Sequence, residues 1–195
     1  MFDFDKEIDR SNTMSLKWDK YKGQDVLPMW VADTDFRSPE CVIEALGKRV
    51  EHGIFGYSRP SPRLIELIVN RLAERYGWQI DPSWLVFLPG VVPGLNLACR
   101  AWTAPGRGVI TPKPVYYPFL LAPGINDRPL LNVPMVEQDG RWVLDLEELE
   151  LQAAGADLLL LCHPHNPGGT AFTRDELLAI QAIAERHDLV VCSDE

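Results

Sequence analysis

The stretch that decides the fold is Asp157–Gly169, with the sequence DLLLLCHPHNPGG. Its first half, Asp157–Cys162, is a short and almost continuous apolar run, which is typical of a strand buried on both faces of a parallel sheet. Its second half contains two prolines and two glycines, which interrupt both strands and helices. The stretch therefore predicts a buried strand followed by an irregular loop, at the end of the strand where parallel sheets bind ligands.

Strand-like runs and helical patterns alternate on both sides of this stretch. Strands are predicted at 84–88, 108–111, 130–133 and 189–192, and the last of these is expected to be buried. Helices are predicted at 39–52, 61–77, 95–102, 116–121, 144–154 and 173–187. Ser61 before Pro62, and the capping box of Thr173 with Glu176, mark two of the helix starts. This order predicts an α/β fold, in which a mostly parallel sheet is flanked by helices and preceded by an extended arm at 1–35.

The composition excludes several classes of protein. The chain has 195 residues, of which 46% are hydrophobic and 24% charged, and its net charge is −9. These proportions are typical of a globular protein, and an acidic surface disfavours nucleic acid as a partner. The amino-terminal segment MFDFDKEIDR has no apolar core of a signal peptide, and no apolar run is long enough to span a bilayer. We therefore expect a soluble cytoplasmic protein without a membrane partner.

The cysteines give no sign of a disulfide framework or of a metal site. They are Cys41, Cys99, Cys162 and Cys192, and none belongs to a CxxC pair. Buried, reduced thiols are the expected state.

Pro89–Gly94, with the sequence PGVVPG, joins a predicted strand to a predicted helix. Glycine allows an anion to approach the backbone closely, and the start of a helix offers free N–H groups at the positive end of its dipole. The segment is therefore a candidate phosphate site. A tight turn without a ligand is the alternative, because the segment is neither a Walker A loop nor a GxGxxG motif.

The loop after the strand at 157–162 supplies a second candidate. Asn166 is fixed between prolines and glycines, so its amide is available as a hydrogen-bond donor at a rigid position. His163 and His165 have a spacing that would suit a metal, but no cysteine or carboxylate accompanies them at ligand spacing, and no metal is predicted.

The remaining candidates are one carboxylate and three phenols. Asp194 follows the last predicted strand, where its charge would hold a proton on the ring nitrogen of a cofactor. Tyr57, Tyr116 and Tyr117 have aromatic faces that stack on planar cofactors. An ordinary loop aspartate and half-buried packing tyrosines are the alternatives.

Taken together and in order, six motifs resemble those of the PatB/MalY-type cystathionine β-lyases, which are pyridoxal-phosphate (PLP) enzymes of the aspartate-aminotransferase fold. They are MWVADTDF at 29–36, FGYS at 55–58, PGVV at 89–92, PVYYPF at 114–119, HPHNPGG at 163–169 and SDE at 193–195. The resemblance implies a three-layer PLP-dependent transferase fold. Residues 1–50 would form an arm and part of the small domain, and 51–195 the first half of the PLP-binding large domain.

The resemblance also implies a role for each matching residue of the cofactor site. The backbone amides of Val91 and Val92 would hold the PLP phosphate. Tyr116 would stack on the pyridine ring and Asn166 would donate a hydrogen bond to the O3′ oxygen of that ring. Asp194 would pair with the ring nitrogen.

Two further roles follow from the same resemblance. Tyr57 would reach the phosphate of the neighbouring subunit, which implies a homodimer with shared active sites. The region of Ala32 would lie near the carboxylate of a small amino-acid substrate.

The chain departs from the family pattern at three positions: His163 replaces asparagine, Thr170 replaces arginine and Thr34 replaces methionine. The Schiff-base lysine of the family follows the SDE motif, so its counterpart is expected beyond Glu195. None of the lysines present matches that context; they are Lys6, Lys17, Lys20, Lys22, Lys48 and Lys113. The chain is therefore expected to be an amino-terminal half that is inactive alone.

The expected activity is cleavage of the C–S bond of cystathionine or cysteine S-conjugates, which releases a thiol, pyruvate and ammonia. A PLP-dependent aminotransferase is the first alternative, because both reactions begin with loss of the same substrate proton. A non-catalytic, truncated binding or regulatory protein is the second. A nicotinamide-dependent dehydrogenase is disfavoured, because the GxGxxG motif and its acidic ribose ligand are absent.

Overall fold

The computed structural model describes residues 3–195, and the chain divides between Pro60 and Ser61 into two compact units. The described part of the amino-terminal unit is largely irregular and contains α1, Leu16–Asp19, and α2, Glu40–His52. Helix α2 ends at Gly53, which adopts the left-handed conformation (φ +73°) that favours glycine at a helix end. The helix predicted at 39–52 is confirmed, whereas the short α1 was not predicted within the arm.

The second unit, 61–195, is fully described and is called the sheet unit. Its elements are α3 Pro62–Tyr76, a 3₁₀ turn Pro82–Trp84, α4 Val91–Trp102, β1 Gly108–Lys113, α5 Tyr117–Ile125, β2 Leu130–Gln138, β3 Arg141–Leu144, α6 Leu146–Ala153, β4 Ala156–Cys162, α7 Arg174–Arg186 and β5 Val190–Asp194. The strand order is β3-β2-β1-β4-β5, and every pair except the antiparallel β2 and β3 is parallel. The predicted α/β fold with a mostly parallel sheet is confirmed.

Strand β4 lies between two hydrophobic layers. Leu159 and Leu161 pack in a buried cluster with α6 and α7, and Leu158, Leu160 and Cys162 pack in a second cluster with α4 and α5. Each fully buried leucine contributes about 1.5–3 kcal/mol to stability. The prediction of a strand with both faces buried is confirmed, and it gives the unit its three layers.

Local capping explains where two of the helices begin. The Ser61 hydroxyl accepts a hydrogen bond from the Leu64 N–H at 3.2 Å. In the predicted capping box, the Thr173 N–H donates to the Glu176 carboxylate at 2.6 Å and the Glu176 N–H donates to the Thr173 hydroxyl at 3.3 Å. Both sequence patterns therefore identified the correct helix starts.

The segment Trp84–Leu88 was predicted as a strand, and this prediction is wrong. The 3₁₀ turn extends to Trp84, and the residues after it form no ladder with any described strand. An apolar run becomes a strand only where a neighbouring strand pairs with its backbone. Without such a neighbour, the side chains of Val86 and Phe87 are exposed.

The strands at the two edges of the sheet differ from the prediction. The hairpin of β2 and β3 was not predicted. Strand β5 was predicted to be buried, but Val190 and Val191 are 36% and 41% exposed. Strand β5 is the last in the sheet order, so among the described residues it pairs only with β4.

The cysteines are free, but they are not uniformly buried. Cys99 and Cys162 are buried and Cys192 is half-buried. Cys41 is exposed and lies on α2, a helix without buried residues. Burial raises the pKa of Cys99 to about 11. None of the helices in the described part of the chain is long and apolar enough to cross a membrane.

Candidate functional site

Three parallel strands end at one edge of the sheet unit. Strand β1 ends at Lys113, β4 at Cys162 and β5 at Asp194, and Cys162 and Asp194 are partners in the ladder. The loops that follow β1 and β4 therefore begin side by side, next to the end of β5. This carboxyl edge is the position where parallel α/β sheets bind ligands.

Asp194 lies on the face of the sheet that α4 and α5 cover. Cys162 belongs to the cluster on that face, and Cys192 packs against the same cluster. Side chains two residues apart along a strand share a face, so Asp194 follows Cys192 onto the α4 side. Burial, together with a smaller effect of the Asp194 charge, raises the pKa of Cys192.

Helix α4 starts at this edge, on the same face. At its other end, the Ala104 N–H donates to the Asp157 carboxylate at 3.0 Å, beside the first residues of β4. The start of α4 at Val91 therefore lies toward the carboxyl ends of the strands. No side chain caps this start, and Val91 and Val92 are 59% and 39% exposed. Free N–H groups and the positive end of the helix dipole make it a suitable site for an anion.

Gly90 sets the backbone path into α4. Its φ is +153°, a conformation that side chains rarely adopt, and a Cβ atom at this position would lie 3.5 Å from Cδ of Pro93. A glycine here leaves the backbone open to an approaching phosphate. The geometry thus fits the phosphate site predicted from Pro89–Gly94.

Each of the three remaining predicted residues of the edge takes part in a backbone hydrogen bond. The Tyr116 N–H donates to the Asn166 carbonyl at 2.9 Å, and the His163 N–H donates to the Asp194 carbonyl at 3.0 Å. Tyr116 is partly exposed and meets Tyr117 edge to face, with ring centroids 5.2 Å apart. An aromatic face, an amide and a carboxylate therefore lie along the same edge as the start of α4.

His165 connects the two loops from the inside. Its side chain is almost fully buried, and its Nε2 atom lies 2.9 Å from the carbonyl oxygen of Pro114. Burial lowers the pKa of His165, and the hydrogen bond to Pro114 opposes that shift only in part. Burial therefore favours the neutral form of the imidazole, and the contact of its ring with Pro114 is structural. Sequence reasoning considered His165 only as a metal ligand. It could not predict the structural role, because the partner of the ring is a backbone carbonyl on another loop.

His163 has a different environment. Its ring stacks on Phe172, with centroids 5.5 Å apart and planes 15° apart. No group of three or more histidine, cysteine or acidic side chains that would suit a metal occurs among residues 3–195.

The peptide bonds before Pro114, Pro164 and Pro167 are cis.

The other two predicted residues lie in the amino-terminal unit. Ala32 and the Tyr57 side chain are both exposed there. The structure thus brings Val91, Val92, Tyr116, Asn166 and Asp194 to one edge of the sheet unit. Their predicted roles stay predictions, as do those of Tyr57 and Ala32.

A network of charges orients the segment that contains Ala32. Arg10 donates two hydrogen bonds to the Asp33 carboxylate, at 2.9 and 3.0 Å. Asp35 accepts from Lys17 at 2.6 Å and from the indole N–H of Trp18 at 2.8 Å. Sequence reasoning did not identify this network, because these partners lie 17 to 23 positions apart.

Comparisons with known proteins agree with this geometry. The sequence matches the family model for aminotransferase class I and II over residues 25–195. It is 42% identical to cystathionine β-lyase PatB of Bacillus subtilis (strain 168), over 98% of this chain and 51% of that protein. The chain spans about half the length of the curated relatives that it matches.

Two solved structures are similar over the whole chain. The crystal structure of OvoB has a TM-score of 0.93 at 50% identity, and this chain covers 52% of it. The crystal structure of cystalysin from Treponema denticola, which contains a pyridoxal 5′-phosphate cofactor, has a TM-score of 0.92 at 36% identity, and 52% of it is covered. The predicted fold class is therefore confirmed by structures as well as by the arrangement of strands.

Proposed function

Because the chain belongs to the aminotransferase class I and II family, we propose that its sheet unit binds PLP and that the whole protein is a carbon–sulfur β-lyase. The resemblance to PatB/MalY-type cystathionine β-lyases, expected from six motifs, is confirmed by the relatives. The proposed substrates are cystathionine and other small cysteine S-conjugates.

One observation carries the proposal. An uncapped helix start, an aromatic ring, an amide and a carboxylate share one edge of the sheet. A backbone hydrogen bond of 2.9 Å joins the loops after β1 and β4, and another of 3.0 Å ties the loop after β4 to the end of β5. These are the groups needed by a ligand with a phosphate at one end and a protonated aromatic nitrogen at the other.

Each of these groups has a distinct task in holding the cofactor. The N–H groups of Val91 and Val92 would bind the phosphate, and the ring of Tyr116 would cover one face of the pyridine. The Asn166 amide would donate to the ring oxygen, and the Asp194 carboxylate would accept from the ring N–H. When bound, PLP supplies an electron sink for the reacting amino acid.

Asp194 controls how strong that sink is. Its negative charge favours the protonated ring nitrogen, because an opposite charge nearby stabilises a cation. Tyr116 and Asn166 fix the plane of the ring, so that the reacting bonds keep one orientation. The chain's own residues therefore hold one proton in place and orient the ring.

The net reaction breaks the bond between Cβ and sulfur. The substrate loses its Cα proton, sulfur leaves with the bonding electron pair and is protonated, and water converts the remaining three-carbon fragment to pyruvate and ammonia. Cystathionine and water thus give a thiol, pyruvate and ammonia without an oxidant or a reductant.

Amino transfer is the second candidate, and the family model itself favours it. In that reaction the Cβ–S bond stays intact, and the amino group moves to a 2-oxo acid. The two reactions therefore differ in whether a thiol is released and in whether a 2-oxo acid is required.

The test uses protein expressed from its intact gene, saturated with PLP and supplied with cystathionine. We expect equal amounts of thiol and pyruvate in the absence of any 2-oxo acid. Consumption of substrate only when 2-oxoglutarate is added, without release of thiol, would contradict the lyase and establish the aminotransferase.

Two residues of the amino-terminal unit also have roles in the proposal. The proposal places Ala32 near the substrate carboxylate and Tyr57 at the cofactor phosphate of a partner subunit, in a homodimer. The exposure of both residues supports it.

A further inference from the structure

We propose that His165 is a positioning residue, which sets the separation of Tyr116 and Asn166 by fastening the loop after β1 to the loop after β4. The inference rests on the proposed function, because these two side chains matter for their contacts with the cofactor ring. His165 itself would touch neither cofactor nor substrate.

The hydrogen bonds of His165 involve both loops. Its Nε2 atom lies 2.9 Å from the Pro114 carbonyl oxygen. Its backbone N–H donates to the Thr170 carbonyl at 2.7 Å, and its own carbonyl accepts from the Gly169 N–H at 2.8 Å. The residue is thus anchored in its own loop while its ring reaches the other loop.

A second link lies beside the first. Pro114 precedes Tyr116 by two residues, and His165 directly precedes Asn166. The Tyr116 N–H donates to the Asn166 carbonyl at 2.9 Å. Two neighbouring cross-links restrain the loops more strongly than one, so the backbones from which the Tyr116 ring and the Asn166 amide project are held at one separation.

The ring has little room to move. Only 2% of His165 is exposed, and a Cβ atom on Gly168 would lie 2.9 Å from its Cδ2 atom. The glycine therefore allows the loop to close over the imidazole. Close packing of this kind holds a side chain in one rotamer.

The chemistry of the bond fixes the tautomer. A carbonyl oxygen only accepts, so Nε2 carries the proton, and the buried Nδ1 atom has no hydrogen-bond partner among the described residues. The burial of the ring, and the absence of a metal-binding group among residues 3–195, separate a structural link from a general base or a metal ligand.

The test compares two substitutions in protein expressed from its intact gene. His165→Leu removes the donor but keeps an apolar side chain, whereas His165→Gln keeps an amide N–H in reach of the Pro114 carbonyl. His187→Gln is the control, since it removes another imidazole contact, 2.6 Å from Glu150. The readouts are the Kd for PLP and the visible circular dichroism of the bound cofactor, which reports the orientation of its ring.

We expect His165→Leu to weaken PLP binding on the order of tenfold, the effect of one buried hydrogen bond, and to reduce the visible circular dichroism. His165→Gln should recover most of both signals, and His187→Gln should change neither. A folded His165→Leu variant with wild-type Kd and circular dichroism would overturn the proposal. If His165→Leu fails to fold, a folded His165→Gln variant with lost circular dichroism would overturn it.

Nitrogen-15 NMR of the wild-type imidazole provides a readout independent of any variant. We expect a protonated Nε2 and a bare Nδ1, and the opposite tautomer would exclude the link. Wild-type protein that binds no PLP would refute the proposed function and with it this role. Wild-type protein that binds PLP, with equal binding by a folded His165→Leu variant, would refute the role of His165 alone.

Discussion

Among single residues, Asp194 has the position on which the proposed chemistry depends most. It is paired in register with Cys162 at the end of β4, and it shares a sheet face with the start of α4. In the proposed site, a carboxylate at this position would meet the ring nitrogen of a cofactor whose phosphate lies at the helix start. Its charge, more than its hydrogen bond, is expected to matter, because the charge keeps the ring protonated.

Asp194→Asn should therefore separate binding from turnover. In protein expressed from its intact gene, we expect kcat to fall on the order of 10²-fold or more, which corresponds to about 3 kcal/mol of barrier. PLP should still bind, since Val91 and Val92 are unchanged. Asp175→Asn, at an exposed position in the first turn of α7, is the matched control. Wild-type turnover in Asp194→Asn would remove this residue from the mechanism.

Residues of the site differed in how far the sequence could predict them. The edge position of Asn166 and Asp194 follows from strand ends in a parallel sheet, a pattern that the local sequence contains. The role of His165 does not, because its partner Pro114 lies 51 positions away and contributes only a backbone oxygen. A backbone carbonyl is present in every residue type and at every spacing, so the sequence does not indicate such a bond.

At the level of elements, the helix starts were predictable where the signal is local. The caps at Ser61 and Thr173 lie within three residues of the groups that they bind. The failures concern pairing: Trp84–Leu88 is apolar but has no described neighbour, and β5 is an edge strand. Burial and pairing depend on which strands lie alongside, which composition does not determine.

The missed hairpin of β2 and β3 had a readable signal. Asp139 and Gly140 both have positive φ, at 51° and 76°, and they separate the paired residues Gln138 and Arg141. A two-residue Asp-Gly loop between apolar runs is a strong indication of a hairpin. The dipeptide therefore predicts that the strand starting at 130 continues to Gln138 and that a second strand begins at Arg141.

The start of α4 is the element whose geometry is easiest to perturb. Gly90→Ala places a side chain at φ +153°, and we expect a loss of about 1–3 kcal/mol of stability or a shift of the helix start. Either result should weaken the binding of PLP, measured by equilibrium titration.

The control for this substitution is Gly124→Ala in α5. Gly124 has no atom within 4 Å of its would-be Cβ and no unusual φ, so the change should leave binding intact. Equal affinity for PLP in the Gly90 and Gly124 variants would show that the path into α4 does not form the phosphate site.

For the whole molecule, the proposed homodimer makes a test of complementation possible. Tyr57→Phe and Asp194→Asn should each impair activity. In a shared site, Asp194 comes from one subunit and Tyr57 from its partner, so the two substitutions affect residues from different subunits. After the two variants are mixed and allowed to exchange subunits, we expect activity to rise to roughly a quarter of wild type, because half the dimers are hybrids with one intact site. Size-exclusion chromatography with light scattering checks the dimer.

Two results would contradict the shared site. One is an active monomer, and the other is a mixture that shows no gain although subunit exchange is demonstrated with labelled protein. A mixture of Tyr57→Phe with Tyr57→Phe carrying a different label is the control, since no hybrid in it has an intact site.

The most direct measurement of the central claim is a titration of PLP into nitrogen-15-labelled protein expressed from its intact gene, followed by the backbone amide signals. We expect the largest shifts at Val91 and Val92, with further shifts at Tyr116, Asn166 and Asp194. Pyridoxal, which lacks the phosphate, should leave the signals of Val91 and Val92 nearly unchanged. Shifts centred elsewhere in the chain, or equal shifts at Val91 and Val92 with both ligands, would contradict a cofactor site at the carboxyl edge of the sheet.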